Sequence, residues 1–184
     1  MKRVPWPIVI DASVAVKILM PEDLSDRAIA LASRLACDPA AIACSPDLFL
    51  AECANVLRTW ARSMLMTPGD ASAAFDVLAG LPIAMVPTSD VAREALDIAL
   101  GFDVTAYDAC YAALARRVGG LLVTADAALV RKLGKSRGPG RIRVVHLSDL
   151  PARWSGRRGH HRFWRRGTAG CRACSRRSRA GRGT

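Results

Sequence analysis

No acidic residue follows Asp149, although residues 151–184 contain 11 arginines. The formal net charge of +11 therefore belongs to that tail, because residues 1–150 carry 16 Lys and Arg against 16 Asp and Glu. A neutral body excludes any argument from pI that the folded part is a nucleic-acid-binding surface. Paired cysteine spacing is missing as well: Cys37, Cys44, Cys53 and Cys110 stand singly in apolar or helical surroundings. That excludes a disulfide framework and suits buried thiols in a reducing compartment. Long hydrophobic runs are also absent. The N-terminal apolar stretch is broken by Pro5 and Pro7 and stops at Asp11, too short for a signal peptide or a membrane span. A cytoplasmic protein with no membrane partner is expected.

What is present suits one compact domain with an appendage, since the 184 residues are 51% apolar. Short β-branched or apolar runs alternate with helical ones. Residues 8–10 (IVI), 42–45 (IACS), 83–87 (IAMVP), 121–124 (LLVT) and 141–147 (RIRVVHL) are expected strands. Between them, SVAVKILM and DLSDRAIALASRLA are helical stretches separated near Pro21, and PDLFLAECANVLRTWARS has an apolar stripe at helical spacing. TPGDASAAFDVLAGL opens on a Thr-x-x-Asp capping box. TSDVAREALDIALGF is expected to end at Gly101, and TAYDACYAALARRVGG at Gly119 and Gly120; DAALVRKL is a short helix. Continuous apolar strands separated by helices imply a parallel sheet of about five strands covered on both faces, an α/β three-layer sandwich.

In such a sheet, ligands sit beyond the carboxyl ends of the strands, where the strand order reverses. Asp11 ends the first strand and Asp126 follows the fourth; Glu52 lies in the helix after the second strand, and Asp108 in the first turn of TAYDACYAALA. Each has an ordinary explanation. Asp11 and Asp126 suit N-caps, Asp108 completes a capping box with Thr105, and Glu52 suits a solvated helix face. Together they point to one crevice, and Glu52 sits between apolar neighbours, Leu50, Ala51 and Cys53. Two carboxylates about 4 Å apart repel by roughly 4 kcal/mol at an effective dielectric near 20, so four converging ones need a cation or must hold protons. Oxygen ligands without His or Cys select Mg²⁺ or Mn²⁺ over zinc.

IVIDASVAV, SPDLFLAECANVLR, TAYDACYAALARRVGGLLVTAD and the closing RIRVVHL resemble a PIN domain, most of all the VapC toxins of bacterial toxin–antitoxin pairs. The resemblance spans residues 7 to 150. It implies a Mg²⁺- or Mn²⁺-dependent endoribonuclease that forms a homodimer and is restrained by a cognate VapB-like antitoxin. It also implies that Asp11, Glu52, Asp108 and Asp126 bind the metal, with Ser13, Thr105 and Thr124 as supporting hydroxyls. Capping is the simpler role for those hydroxyls, and for Thr105 the better one.

Other uses of a strand-end aspartate fit less well. A receiver domain needs an acidic doublet after its first strand and an aspartate after its third, where this chain has Val86 and Pro87. A haloacid-dehalogenase-type phosphatase needs Asp-x-Asp where this chain has Asp11, Ala12 and Ser13, and no Gly-rich turn supports a dinucleotide or P-loop site. The stronger rival is a binding module of the same fold that holds RNA or a protein without turnover. The tail has no apolar periodicity, so disorder is expected in isolation. Its arginines with Trp154, Phe163 and Trp164 suit phosphate clamping and base stacking, and His160, His161, Cys171 and Cys174 are candidate zinc ligands whose spacing departs from the usual pattern.

Overall fold

Ile8, Val9 and Ile10 are enclosed on every side, as a strand in the middle of a covered sheet must be. A computed structural model describes residues 6–154. The strands β1 (Ile8–Ile10), β2 (Ala43–Pro46), β3 (Ile83–Val86), β4 (Leu121–Thr124) and β5 (Val144–His146) form a parallel sheet in the order β3-β2-β1-β4-β5. The helices are α1 (Ala12–Ala15), α2 (Ser25–Cys37), α3 (Leu48–Arg62), α4 (Pro68–Ala79), α5 (Ala92–Phe102), α6 (Ala106–Arg117) and α7 (Ala127–Leu133). The chain steps outward from β1 to β3, then crosses back to β4 on the other side of β1. By the right-handed rule for parallel crossovers, this reversal of direction assigns α1–α4 to one face and α5–α7 to the other, in keeping with the packing of α3 on α4 and of α5 on α6, which gives the three-layer α/β/α sandwich. The order reverses between β1 and β4, so the crevice opens at their carboxyl ends. Pairing Ile8 with Leu121 and Ile10 with Val123 brings Asp11 beside Thr124, and the Asp11 amide donates to the Val123 carbonyl at 3.1 Å.

Helix α6 is the beam behind that crevice. Residues 109–115 are all buried, around the full circumference of the helix. Four of those seven are alanines, whose small side chains let the helix lie close to the sheet and to α5. At its far end the chain turns through Gly119, whose φ of +62° suits glycine, into Gly120, where a Cβ would stand 2.6 Å from the Pro7 carbonyl oxygen. The capping box of α4 is present in both directions, Thr67 accepting from the Asp70 amide and Asp70 accepting from the Thr67 amide.

Several boundaries differ from the sequence expectation. Strand β5 begins at Val144 rather than at residue 141, because Gly138 and Gly140 turn the chain at positive φ and the Ile142 amide donates to Ser136 Oγ at 3.0 Å. Helix α5 runs past Gly101 to Phe102 and stops at Asp103, which takes a left-handed conformation with φ of 53°. The first helical stretch shortens to α1 plus a 3₁₀ turn at Val16–Ile18. Trp154, assigned by sequence to the stacking residues of the tail, instead packs on Trp6 with ring centroids 6.1 Å apart, and the Arg34 guanidinium lies 5.8 Å from its ring. Arg27 donates to the Leu150 carbonyl, so this segment is strapped onto α2. The expected disorder of the tail, the stacking role of Phe163 and Trp164 and the zinc candidates His160, His161, Cys171 and Cys174 lie outside the described residues.

The two glycines Gly120 and Gly101 should respond in opposite directions to an added methyl group. Gly120→Ala forces backbone to move away from Pro7 and should destabilise by about 1–3 kcal/mol. Gly101→Ala meets nothing within 4 Å and replaces a glycine in a helix, so it should stabilise by about 0.5 kcal/mol. Urea unfolding of the two variants checks both signs.

Candidate functional site

Asp11 is the residue after β1 and the N-cap of α1, and only 7% of its surface is exposed. Its Oδ1 accepts from the Ser13 amide at 3.1 Å, and its Oδ2 accepts from the Thr124 hydroxyl at 2.5 Å. Thr124 is fully buried at the end of β4, and its oxygen also accepts from the Asp126 amide at 3.0 Å. Ser13 Oγ accepts from the Ala125 amide at 3.0 Å and lies 3.4 Å from Thr124 Oγ1. Since the Thr124 proton goes to Asp11, the Ser13 proton is the one available to Thr124. The Thr124 and Ser13 hydroxyls both favour the charged form of the Asp11 carboxylate.

Glu52 and Asp108 arrive from two helices. Glu52, half-buried just past the first turn of α3, accepts through Oε2 from the Tyr111 hydroxyl. Asp108 lies in the first turn of α6, where its amide donates to Thr105 Oγ1 at 3.0 Å and its Oδ2 accepts from the same hydroxyl at 2.7 Å. Burial pushes the Asp11 carboxyl above the usual range, and the Asp108 charge pushes it further. Burial likewise raises Glu52, with the charges of Asp11 and Asp108 adding to the shift, while the Tyr111 hydrogen bond opposes it. Asp108 is thus close enough to both Asp11 and Glu52, and Asp11 to Glu52, for its charge to disfavour their ionisation.

Asp126 is placed differently. It is exposed and N-caps α7, with Oδ1 accepting from the Ala128 and Leu129 amides at 2.7 and 3.2 Å. Its backbone is tied to the cluster through Thr124, but its carboxylate raises neither Asp11 nor Glu52. Thr105 acts as the N-cap of α6 and at the same time donates to Asp108. Tyr111 was not anticipated. It is buried to within 1%, and its signal in the sequence is the spacing of three residues from Asp108, which places both on one face of α6.

The donor set suits a hard divalent cation in charge and type. Asp11, Glu52 and Asp108 offer carboxylate oxygens alone, the donor type that such a cation takes. The neighbouring thiols stay neutral, Cys53 being pushed up to about 12 by burial and by the Glu52 and Asp11 charges. The fit is not that of a closed cage: among the described residues no group of three or more His, Cys, Asp or Glu is gathered tightly enough to hold an ion.

Comparison with known proteins bears on the same stretch of chain. The family model of the PIN domain matches residues 8–135. Ribonuclease VapC3 of Pyrobaculum aerophilum is 35% identical over 130 residues, covering 68% of this chain and 93% of that relative. Among solved structures, PAE2754 from Pyrobaculum aerophilum matches with a TM-score of 0.55 at 22% identity, covering 77% of this chain and 84% of the other. VapBC2 from Rickettsia felis, bound to a DNA fragment from their promoter, matches with a TM-score of 0.54 at 12% identity, covering 76% and 97%. The likeness to these two structures is one of fold. Among the described residues no single helix is long and apolar enough to cross a membrane.

Raised carboxyl pKa values have a sign in stability. With Asp11 and Glu52 raised when folded, the native state binds protons more tightly than the unfolded chain, so stability is lost as pH rises through the raised values. Asp47 and Asp70, lowered by the hydroxyls of Thr88 and Thr67, act in the opposite direction as pH falls through their own lowered values. In EDTA, acidifying from neutral pH towards the ordinary carboxylate range should therefore raise the melting temperature more in the wild type than in an Asp11→Asn, Glu52→Gln double variant. Parallel melting curves from calorimetry would remove the buried-charge penalty from the description.

Proposed function

The chain belongs to the PIN domain family, and we propose that it is an endoribonuclease, the toxin component of a type II toxin–antitoxin pair. The observation that carries this reading is the convergence of Asp11, Glu52 and Asp108 at the β1–β4 crevice, where the Asp108 charge raises both Asp11 and Glu52, and the Asp11 charge raises Glu52 as well. The similarity to Ribonuclease VapC3 over 93% of that protein supports it. Asp11, Glu52 and Asp108 would supply the oxygen ligands for Mg²⁺ or Mn²⁺, and Asp126, whose Oδ2 has no donor among the described residues, would be the fourth acid. When bound, such a cation lowers the pKa of a coordinated water and offsets charge on the phosphate and the leaving oxygen.

The protein's own groups prepare the site. The Thr124 hydroxyl and the Ser13 amide orient the two oxygens of Asp11, and Tyr111 fixes Oε2 of Glu52. Thr105 aims Asp108 from the start of α6. Among the described residues beside the crevice, Ser13 Oγ is engaged with Ala125 and Thr124, and burial pushes the thiols of Cys53 and Cys110 towards their neutral form, so none of the three is an activated nucleophile. The reaction is thus direct hydrolysis of an RNA phosphodiester. The partners that follow are RNA, a cognate VapB-like antitoxin and a second copy of the chain.

Cleavage of total RNA with and without EDTA tests the assignment and separates it from a binding module of the same fold. Asp11→Asn and Asp108→Asn should each abolish metal-dependent cleavage, by about a hundred-fold or more, while circular dichroism shows the native fold. Asp126→Asn should cost less, since Asp126 is exposed and its charge raises neither Asp11 nor Glu52. Binding of RNA without any cleavage by the wild type would favour the module; cleavage retained by Asp11→Asn would end the site assignment.

A further inference from the structure

We propose that His146 is a positioning residue, which holds the turn between β4 and α7 so that the Thr124 hydroxyl stays in place against Asp11 and Asp126 stays at the start of α7. His146 closes β5 directly opposite Thr124 in the pairing of the two strands. Its Nε2 lies 3.0 Å from the Ala125 carbonyl oxygen. A carbonyl only accepts, so the ring proton sits on Nε2. Nδ1 is then the acceptor that the Ser148 amide meets at 3.3 Å and the Ser148 hydroxyl at 2.7 Å. Capping of the 3₁₀ turn at Leu147–Asp149 thus occupies Nδ1 alone, and the Nε2 bond serves a different purpose.

That purpose follows from what Ala125 does on its other side. Its amide donates to Ser13 Oγ, so one residue is held from α1 by its N–H and from β5 by its C=O. On either side of it stand Thr124, which donates to Asp11, and Asp126. Among the described residues β5 is the edge strand and pairs only with β4, so His146 fastens the turn from the open side of the sheet. Partners of this kind, one step removed from the ligands, set the orientation of ligating groups, and losing them costs ten-fold or more in affinity or rate.

The inference rests on the acidic-site reading, and its test separates the two. Full-length His146→Leu removes the donor at similar size, and His146→Gln keeps an N–H within reach of Ala125. Amide hydrogen exchange in EDTA requires neither cation nor RNA. In His146→Leu the Ala125 and Asp126 amides should exchange about ten-fold faster while those of β1 and α6 stay unchanged, and Mn²⁺ affinity and kcat should fall about ten-fold with KM nearly constant. His146→Gln should recover all three. Unchanged exchange at Ala125 in His146→Leu, or a His146→Gln variant as impaired as His146→Leu, overturns the proposal; should His146→Leu fail to fold, the His146→Gln measurements decide. If Asp11→Asn leaves Mn²⁺ affinity untouched, the acidic-site reading falls, while the exchange data still report on His146.

Discussion

The hydrogen bond from Thr124 to Asp11 joins the ends of two parallel strands, and much of the molecule is arranged so that it can form. A carboxylate with 7% of its surface exposed is expensive to keep charged, and no requirement of packing asks for one there. Two donors, the Ser13 amide and the Thr124 hydroxyl, reduce that penalty without removing it, because burial still raises the pKa. The Ser13 amide is a local cap, but the Thr124 hydroxyl depends on the strand order. Only the return of the chain from β3 to the far side of β1 makes β4 the neighbour of β1, and hence Thr124 the neighbour of Asp11.

Helix α6 repeats the device on the opposite wall. Its buried circumference leaves little freedom to rotate or slide, since any shift would drive close-packed alanines into the sheet or into α5. A single rigid element therefore sets two things at once: Asp108 in its first turn, and Tyr111 one turn later, which holds Glu52 of α3. The same apolar packing that stabilises the fold raises the thiols of Cys53 and Cys110 and keeps them out of the chemistry. Stability and site chemistry have one origin here, the exclusion of water around the base of the crevice.

Much of this is legible in the residues. IVI and LLVT identify themselves as buried parallel strands by their lack of alternation, and the rule that ligands lie at the carboxyl edge then points to Asp11 and to the turn bearing Asp126. The rest depends on distance in the chain. The pairing of Tyr111 with Glu52 spans 59 positions and that of His146 with Ala125 spans 21, and no local periodicity encodes either. Trp154 was misplaced for a related reason. Its neighbours in sequence are polar and basic, whereas its neighbours in space are Trp6 and the face of α2. Strand β5 was read too long because RIRVV has the composition of a strand, while Gly138 and Gly140 determine where the backbone straightens.

Capping and chemistry read as competing explanations for these acids in the sequence, and the fold leaves room for both. In a parallel sheet every strand runs into the start of a helix at the same edge, so that edge collects helix N-termini. Asp11 caps α1, Asp126 caps α7, Asp108 lies in the first turn of α6, and Glu52 stands just past the first turn of α3. Unpaired amides and the positive ends of helix dipoles lower the cost of negative charge there, by about 0.3–1 kcal/mol for each carboxylate near a helix start. An acid recruited to cap a helix at this edge is already beside the others, held by the bonds that make it a cap. Thr105 makes the point most directly: the hydroxyl that accepts from the Asp108 amide to begin α6 also donates to the Asp108 carboxylate, so the structural bond aims the functional group.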